Sequence, residues 1–508
     1  MRTCPGSRAR SLHFTEKNFQ RILKRTESFI LRSLISFPQR FIMNIEKITG
    51  SRRVSLGQML DARERRAERQ RRMLQAGTEC LVSYTLNMPG EIKQFPLARA
   101  FFVKGLERLK KILLRVGADI KDEKLFLDEA TGSEALLAVA HSPAEVKMAA
   151  CAIEESTAAS RLYDLDVLDA DGQKISRTQL GLPERKCIIC GRPVMDCAPA
   201  RVHSAEELSH AAVRLMYDDL AAAFAEKTAE AAQKALLYEV CVSPKPGLVD
   251  RFNNGSHHDM NFYSFIDSAC ALRPYFRQCV LIGAENAQLE PQKLFGLLRV
   301  PGMEAEQRMY DADGGVNVHK GAVFSVGLVC AARGRLWSGG ESGCAENIME
   351  TVKTMLKRVC DDFSCPDASA GQKIFHESGV TGIRGEAAAG FPAAAGLGLP
   401  VFEQLLSQGC TVNDAAAVTL LHLICVVDDT NMIKRSSLKR FREIQRQIGD
   451  LLQDDPVPAP EKTAALDRQF IAENLSPGGS ADMLALTLLL HFLRPFENEK
   501  CPGCNTTV

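Results

Sequence analysis

The chain has almost no net charge, no long apolar run and no secretory signal, and each absence excludes a class of protein. Its 63 Lys and Arg residues stand against 62 Asp and Glu residues, for a net charge of +1, whereas a general nucleic-acid binder needs a basic excess for its phosphate contacts. The longest apolar runs, such as residues 483–490, are shorter than the roughly 18 residues that a membrane-spanning helix needs. The sequence predicts a soluble protein with no nucleic-acid and no membrane partner.

The 17 cysteines are scattered over all 508 residues. In a short secreted chain so many cysteines would indicate disulfides, but the N-terminus lacks the apolar segment and cleavage site of a secretory signal. We therefore expect reduced thiols and a cytoplasmic protein. Residues 1–42 are basic and weakly patterned, and a disordered tail or a start codon assigned too early is favoured over a mitochondrial presequence.

A chain of 508 residues is too long for one ordinary hydrophobic core, so two or three domains are expected. The first, residues 43–205, alternates amphipathic segments with short β-branched or aromatic runs, which predicts an α+β domain. Its predicted elements are helices at 55–73, 95–116 and 143–160 and strands at 80–87, 125–127, 135–140 and 162–168.

From residue 206 to residue 508, long Ala- and Leu-rich stretches, the first at 206–242, alternate with Gly- and Pro-rich loops. This pattern predicts an all-α domain. The change of class places the domain boundary near Glu206 without a flexible linker, and residues 495–508 are expected to form a frayed tail. The predicted fold is multidomain, with an α+β N-terminal domain followed by an all-α C-terminal domain.

Five segments of the second domain carry charged or amide side chains, and four of them also contain glycine; they are residues 243–251, 313–321, 382–387, 428–431 and 474–482. Glycine allows backbone N–H groups to turn toward an anion. In the second segment Lys320 adds a point charge, and His319 and Asn317 can direct a sugar or a base. We interpret this segment as a phosphate loop, with an ordinary Gly-Gly turn before a helix as the alternative.

The motifs KPGLVD, GVNVHKG, RGEA, DTN and SPGGSAD occur in that order in the five segments. Over residues 231–493 the chain thereby resembles the triphosphoribosyl-dephospho-CoA synthase family, which makes the precursor of the citrate lyase prosthetic group. The resemblance implies that ATP is joined to the 2′-hydroxyl of 3′-dephospho-CoA and that adenine is expelled. Asp313 and Val318 stand where the family usually has Thr, Arg308 where an acid is common, and Ser436-Ser437 where it has Gly-Gly. A carboxylate at position 313 beside a phosphate loop is electrostatically unfavourable unless a metal ion intervenes.

Displacement of adenine builds positive charge on the ribose, so by analogy with glycoside chemistry a carboxylate and a general base are needed. Six acids lie in or beside the motifs, and Asp250 and Glu306 are the less favoured of them. We expect the metal or general-base carboxylates to be Asp259, Glu386, Asp429 and Asp482, with capping of buried helices as the alternative. Mg²⁺ is expected to assist, and the predicted ATP and dephospho-CoA ligands are Lys245, Gly247, Gly314, Gly315, Asn317, His319, Lys320, Arg384, Asn431, Ser476, Gly478, Gly479 and Ser480.

Two groups of residues in the first domain have the spacing of metal ligands. Asp164 and Asp166 lie two apart on a predicted strand, so both project from one face and can share a Mg²⁺ ion, although a solvated polar face is the alternative. Cys187, Cys190, Cys197 and His203 form a Cys₃His set that can close a tetrahedral zinc site, although packed cysteines are a competing interpretation.

These features, with Asn87-x-Pro-Gly90-x-x-Lys93 and Arg161-Leu-Tyr-Asp-Leu-Asp166-Val, resemble the holo-citrate lyase synthase family over residues 54–203. The resemblance implies transfer of the phosphoribosyl-dephospho-CoA unit to a serine of the apo acyl carrier subunit, with release of pyrophosphate. The whole chain then resembles a fused bifunctional transferase. The alternatives are the equivalent pathway of malonate decarboxylase and a non-catalytic scaffold that binds acyl carrier protein or nucleotide.

Overall fold

The computed structural model describes residues 45–197, 199–357 and 380–503, so the basic extension 1–42 lies outside the described residues. Within the described part, no helix combines the length and the apolar character needed to cross a membrane. The order of elements divides the chain into an α+β region and a helical region. This confirms the predicted fold class.

The first region is built on a four-stranded sheet in the order β2-β3-β1-β4, in which all neighbouring strands are antiparallel. The strands are β1 (Cys80–Leu86), β2 (Asp119–Phe126), β3 (Glu134–Ala140) and β4 (Tyr163–Asp169). Its helices are α1 (Ile45–Thr49), α2 (Leu56–Gln75), α3 (Pro96–Arg115), α4 (Pro143–Glu155) and α5 (Val194–Cys197).

Strand β2 was expected only at residues 125–127, but it runs over Asp119–Phe126. Five of its eight residues are charged, a composition that does not indicate a strand. Because β2 is an edge strand whose side chains are largely exposed, hydrogen bonds to β3 maintain it without an apolar pattern. Similarly, the helix expected at 143–160 ends at Glu155, and a 3₁₀ turn at Ala159–Leu162 leads into β4.

Aromatic side chains hold α3 against the sheet. The ring of Tyr84 on β1 stacks on Phe102 with ring centroids 4.3 Å apart, and the ring of Tyr163 on β4 stacks on Phe101 at 4.8 Å. Gly105 on α3 faces both tyrosines, and a Cβ atom there would overlap the Tyr84 hydroxyl. The glycine therefore permits the close approach of α3 to the sheet.

The helix α6 (Ala205–Cys241) begins at the predicted change of fold class and contacts both regions. Ser204 caps it through a capping box with Glu207. Near its start, Asp219 forms ion pairs with Lys104 and Arg108 of α3, at 2.7 and 3.0 Å. Its later turns pack in the helical region, so one continuous helix connects the two regions.

The helical region continues with helices that surround a largely apolar interior. They are α7 (Phe262–Glu285), α8 (Pro291–Ala312), α9 (Lys320–Gly339), α10 (Ala345–Met355), α11 (Gly382–Ala388), α12 (Leu399–Ser407), α13 (Val412–Val426), α14 (Thr430–Arg435), α15 (Leu438–Asp454), α16 (Pro460–Ala472) and α17 (Gly478–Leu493).

Two glycines bring α7 and α9 into backbone contact. A Cβ atom at Gly283 would overlap the carbonyl oxygen of Ala331, and one at Gly334 would overlap that of Val280. The two helices thus cross at a distance that larger residues would forbid.

The expectation of a frayed tail from residue 495 was wrong for residues 495–503, and residues 504–508 lie outside the described part. Arg333 on α9 is fully buried, and its Nη2 donates to the carbonyl oxygen of Phe496 at 2.6 Å. The amide of Cys501 also donates to the carbonyl oxygen of Trp337 at 2.8 Å. A buried guanidinium needs acceptors, and the C-terminal backbone supplies them to Nη2, whereas Nε and Nη1 have no hydrogen-bond partner among the described residues.

Candidate active sites

A cavity of about 810 Å³ lies in the first region, beside β4, α4 and the start of α6. Its walls include Asn87, Arg161, Arg185, Cys187 and His203, so the structure brings together the three motifs that sequence reasoning singled out in this region. Lys93 lies at the first motif as well, where its Nζ donates to the carbonyl oxygen of Met88.

Glu154 of α4 is a central residue of this cavity that sequence reasoning missed. Its side chain is 2% exposed, and its two oxygens form ion pairs with Arg177 and Arg185. Oε1 also accepts from the amide of Leu165 at 2.9 Å. A signal did exist in the sequence, because Glu154 follows Val146 and Ala150 at intervals of four on the apolar face of α4, where an unpaired acid would be costly.

Asp164 and Asp166 project from one half-buried face of β4, as predicted, while the residues between and beside them are buried. Each carboxylate has a cationic partner. Arg185 donates to Asp164 at 3.0 Å, and Lys174 pairs with Asp166 at 2.6 Å. A shared Mg²⁺ ion stays a prediction, since in the described residues these acids do not belong to a cluster of three or more metal-ligating side chains.

Such a cluster is formed by Cys187, Cys190, Cys197 and His203, whose potential ligand atoms all lie within 4.8 Å of one another. The Sγ atoms of Cys190 and Cys197 are 3.2 Å apart. His203 lowers the pKa of the Cys190 thiol to about 5, and the neighbouring Cys190 raises that of Cys197 to about 11. Three sulfurs and one imidazole nitrogen at these separations fit the tetrahedral donor set of zinc.

In the helical region, four of the five segments lead directly into helices: α9 begins at Lys320, α11 at Gly382, α14 at Thr430 and α17 at Gly478. The starts of these helices are close to one another. A Cβ atom at Gly382 would contact Thr430, and one at Gly478 would contact the side-chain amide of Asn431. Helix N-termini present unpaired N–H groups and a positive dipole, which suits an anionic substrate.

Asp429 joins two of these helix starts. Its Oδ1 accepts from the amides of Asn431 and Met432 at 3.0 and 3.2 Å, and its Oδ2 accepts from Ser480, at 2.9 Å from the amide and 3.2 Å from the hydroxyl. A Cβ atom at Gly479 would lie 3.2 Å from Oδ2. Burial raises the pKa of Asp429. These contacts give Asp429 a capping role, and its catalytic role stays a prediction.

Asp482 of α17 lies against the first turn of α9, where a Cβ atom at Gly321 would overlap its carboxylate. Burial, with the charges of Glu239 and Asp429, raises the pKa of Asp482 well above its usual range. Glu239 in turn forms a buried ion pair with Lys245, whose Nζ also donates to the carbonyl oxygen of Glu239 at 2.9 Å. The expected phosphate ligand Lys245 thus lies beneath the surface, and its amide donates to Asp250 at 3.0 Å.

His319 is buried beside this cluster. Its Nδ1 lies 2.8 Å from the hydroxyl of Ser268, and its Nε2 has no hydrogen-bond partner among the described residues. Burial and the charge of Lys245 lower its pKa to about 3, so its imidazole is neutral. Asn317 accepts from the amide of Lys320 at 3.3 Å and so caps α9.

Asp313 and Lys320, at the two ends of the predicted phosphate loop, differ in their surroundings. Neither carboxylate oxygen of Asp313 has a partner in the part of the chain described, and burial with the charge of Asp267 raises its pKa to about 6. Lys320 is half exposed and pairs with Glu306 at 2.9 Å, which raises its pKa, while the charge of Arg384 acts in the opposite direction. Gly314 and Gly315, with φ of 66° and 95°, make the turn between them.

The third segment contributes Glu386 near this group. The Oε2 atom of Glu386 accepts from the amide of Ala393 at 3.1 Å, and burial raises its pKa. Gly247 of the first segment has φ of 69°, and its amide donates to Asp467 at 2.9 Å. A Cβ atom at Gly247 would also overlap the carbonyl oxygen of Leu475 in the last segment, so the five segments meet in one part of the helical region.

His257 contacts the last segment and was missed by sequence reasoning. Its Nε2 lies 2.8 Å from the hydroxyl of Ser476, and its Nδ1 lies 3.9 Å from the carboxylate of Asp259, which is mainly exposed. Burial and the charge of Arg435 lower its pKa. Two adjacent histidines immediately before Asp259 were a signal that the sequence offered.

The chain joins an α+β region that has a cation-lined cavity to a helical region in which several helix starts meet. Residues 54–219 match the family of apo-citrate lyase phosphoribosyl-dephospho-CoA transferase, CitX, and residues 225–500 match that of ATP:dephospho-CoA triphosphoribosyl transferase, CitG. Both are transferases, so the chain is a bifunctional transferase. It belongs to the CitXG family, and both resemblances are confirmed.

Relatives match along most of the chain. Protein CitXG of Haemophilus influenzae is 35% identical over 456 residues, which is 87% of this chain and 96% of the relative. Protein CitXG of Leuconostoc mesenteroides subsp. cremoris is 33% identical over 461 residues, 87% of this chain and 97% of the relative. A probable 2-(5''-triphosphoribosyl)-3'-dephosphocoenzyme-A synthase of Streptococcus equi subsp. zooepidemicus is 38% identical over 281 residues, 52% of this chain and 95% of the relative.

Proposed function

We propose that the chain makes and attaches the prosthetic group of citrate lyase. In the helical region, ATP reacts with 3′-dephospho-CoA to give 2′-(5″-triphosphoribosyl)-3′-dephospho-CoA and adenine. In the α+β region, the phosphoribosyl-dephospho-CoA unit passes to a serine of the apo acyl carrier subunit, and pyrophosphate leaves. The tandem match to the two transferase families supports this function, because the product of one reaction is the substrate of the other.

The proposed division is residues 43–205 for attachment and 206–508 for synthesis, and the proposed location is the cytoplasm, where buried thiols such as those of Cys279 and Cys330 stay reduced. The capping box at Ser204 supports a boundary at this position. The match to the first family extends to residue 219, so the opening turns of α6 are proposed to belong to the attachment half as well as to the synthesis half.

In the synthesis reaction, Lys320, Arg384 and the helix starts at Ser476–Ser480 bind the triphosphate, and one of the acids Asp259, Glu386, Asp429 and Asp482 accepts the proton of the attacking 2′-hydroxyl. Glu386 is favoured as this base, because its carboxylate accepts one hydrogen bond among the described residues, from the amide of Ala393, whereas the carboxylate of Asp429 accepts four. The neutral imidazole of His319 is suited to contact the sugar or base without adding charge.

Mg²⁺ would neutralise negative charge on the triphosphate. The helical region has a carboxylate that fits it, because both oxygens of Asp313 are buried and lack partners among the described residues. In the attachment reaction, Asp164 and Asp166 are the proposed Mg²⁺ ligands. Zn²⁺ at Cys187, Cys190, Cys197 and His203 would hold the segment that forms one wall of the cavity.

The function is tested by incubating the full chain with ATP and measuring free adenine by chromatography, with and without dephospho-CoA. We expect adenine only when dephospho-CoA is present, because its 2′-hydroxyl is the attacking group. Glu386→Gln should suppress release at saturating substrate, and unaltered turnover would remove Glu386 from the catalytic set. A scaffold would release no adenine. Addition of the apo acyl carrier subunits of citrate lyase and malonate decarboxylase, followed by mass spectrometry, distinguishes the two pathways.

A further inference from the structure

The cavity of the α+β region has an excess of positive charge. Arg161, Arg177, Arg185, Lys186 and Arg201 line it, against the three acids Glu154, Glu155 and Glu184. The chain as a whole is nearly neutral, so this excess is local. Its volume of about 810 Å³ lies within the range that small-molecule sites have.

The cationic side chains form two groups. Arg177 and Arg185 both pair with the buried Glu154, and they are further bound by Glu155 and Asp164. Arg161, in contrast, makes no carboxylate ion pair in the described part of the chain, and its Nη1 donates only weakly to the carbonyl oxygen of Cys187, at 3.3 Å. Ion pairs within the protein therefore fix Arg177 and Arg185, whereas the guanidinium of Arg161 keeps N–H donors for a ligand.

The start of α6 adds a second source of positive potential. Ser204, Ala205 and Leu208 line the same cavity, and α6 is a helix of 37 residues. The N-terminus of a long helix favours an anion through its dipole, while the amide of Glu207 is already bound by the Ser204 hydroxyl and the first turn carries the carboxylates of Glu206 and Glu207. Three features thus line one cavity. They are the buried Glu154 with its two arginine partners, Arg161, which has no carboxylate partner in the described residues, and the start of α6.

We propose that this cavity binds the polyphosphate end of the nucleotide substrate, with Arg161 as a direct ligand of the pyrophosphate that leaves; this inference rests on the attachment reaction of the proposed function. The serine oxygen of the carrier forms a bond to the α-phosphorus, and the bond from that phosphorus to the bridging oxygen of the β-phosphate breaks. The serine proton leaves with the pyrophosphate. Planar guanidinium groups bind phosphate oxygens in pairs, which suits a leaving group of high charge.

The test is the dissociation constant of inorganic pyrophosphate for the full chain, measured by calorimetry. Arg161→Met should weaken binding by about tenfold or more, the loss expected for a charge-assisted hydrogen bond. Arg72→Met is the matched control, because Arg72 lies exposed on α2 and pairs only with Glu68 among the described residues. Measurement in a Lys320→Met background separates this cavity from the helical region, and the Arg161 dependence should persist there.

A second variant, Arg201→Met, guards against misfolding of the first, because Arg201 is exposed and lines the cavity. It should weaken pyrophosphate binding at an unchanged melting temperature. Pyrophosphate affinity within twofold of the parent in both folded variants would overturn the inference. Should carrier loading fail in the parent while pyrophosphate binding still depends on Arg161, the proposed attachment reaction falls and the anion site stands.

Discussion

Ser204 and Glu239 lie at opposite ends of one helix, α6. Ser204 caps its start beside the cation-lined cavity, and Glu239, near its end, pairs with Lys245 beneath the converging helix starts. At 1.5 Å per residue the two positions are about 50 Å apart along the helix. No side chain can serve both sites, so the two reactions should respond separately to substitution.

Asp164→Asn and Asp166→Asn should abolish loading of the acyl carrier subunit and leave adenine release at the parental rate. The two carboxylates project from β4 toward one face, where they are the proposed Mg²⁺ ligands, and an amide is a poor ligand for Mg²⁺. Loading is measured by the mass of the carrier and release by chromatography of adenine. Asp171→Asn, in the exposed turn after β4, is the control, and a parallel loss of both activities would argue for a single shared site.

Lys320 and Lys245 should give opposite phenotypes. Lys320 is half exposed, so Lys320→Met should weaken ATP binding by about 1–3 kcal/mol and leave the melting temperature without ligand unchanged. Lys245→Met removes the partner of the buried Glu239 and should destabilise the fold by about 3–5 kcal/mol. Calorimetry with ATP and thermal melts distinguish them. Unchanged ATP affinity with a large fall in melting temperature for Lys320→Met would make that lysine structural.

The Cys₃His cluster should bind about one Zn²⁺ per chain. Protein purified without chelators is analysed for metal, and Co²⁺ substitution should give the visible absorption of a tetrahedral thiolate site. Cys197→Ser should lose the metal, whereas Cys241→Ser, an exposed cysteine outside the cluster, should retain it. Metal-free protein whose four side chains react freely with an alkylating agent would reduce the cluster to a packing feature.

The periodicity of the sequence was sufficient to predict the direction of side chains on strands where buried and partly exposed residues alternate. It predicted the shared face of Asp164 and Asp166, whereas the meeting of the five segments in space emerged only from the structure. Partners distant in the chain were not predictable: the apolar face of α4 marks Glu154 as a buried acid, but the sequence does not indicate that Arg177 and Arg185 lie beside it. For the same reason residues 495–503 looked like a tail, since the sequence does not indicate that Arg333 is buried and needs their carbonyl oxygens.

Asp313→Asn should stabilise the protein at alkaline pH but not at acid pH. Because the pKa of Asp313 is raised to about 6, the folded state holds this proton more tightly than the unfolded chain, and stability falls as the pH rises from about 4 to about 6. Asn has no proton to lose and avoids a buried charge without partners. The difference in melting temperature between variant and parent should therefore grow from pH 4 to pH 6.5 and then level off.

Mg²⁺ provides an independent measurement on the same carboxylate. If the oxygens of Asp313 bind the ion, MgCl₂ at pH 8 should raise the melting temperature of the parent, since a ligand that binds only the folded state stabilises it. The increase should be lost in Asp313→Asn and kept in Asp311→Asn, whose exposed carboxylate accepts from Gln307 at 2.8 Å. The pH dependence without Mg²⁺ can also fail. If the difference in melting temperature between Asp313→Asn and the parent stays constant between pH 4 and pH 8, Asp313 titrates normally and its burial has no bearing on stability.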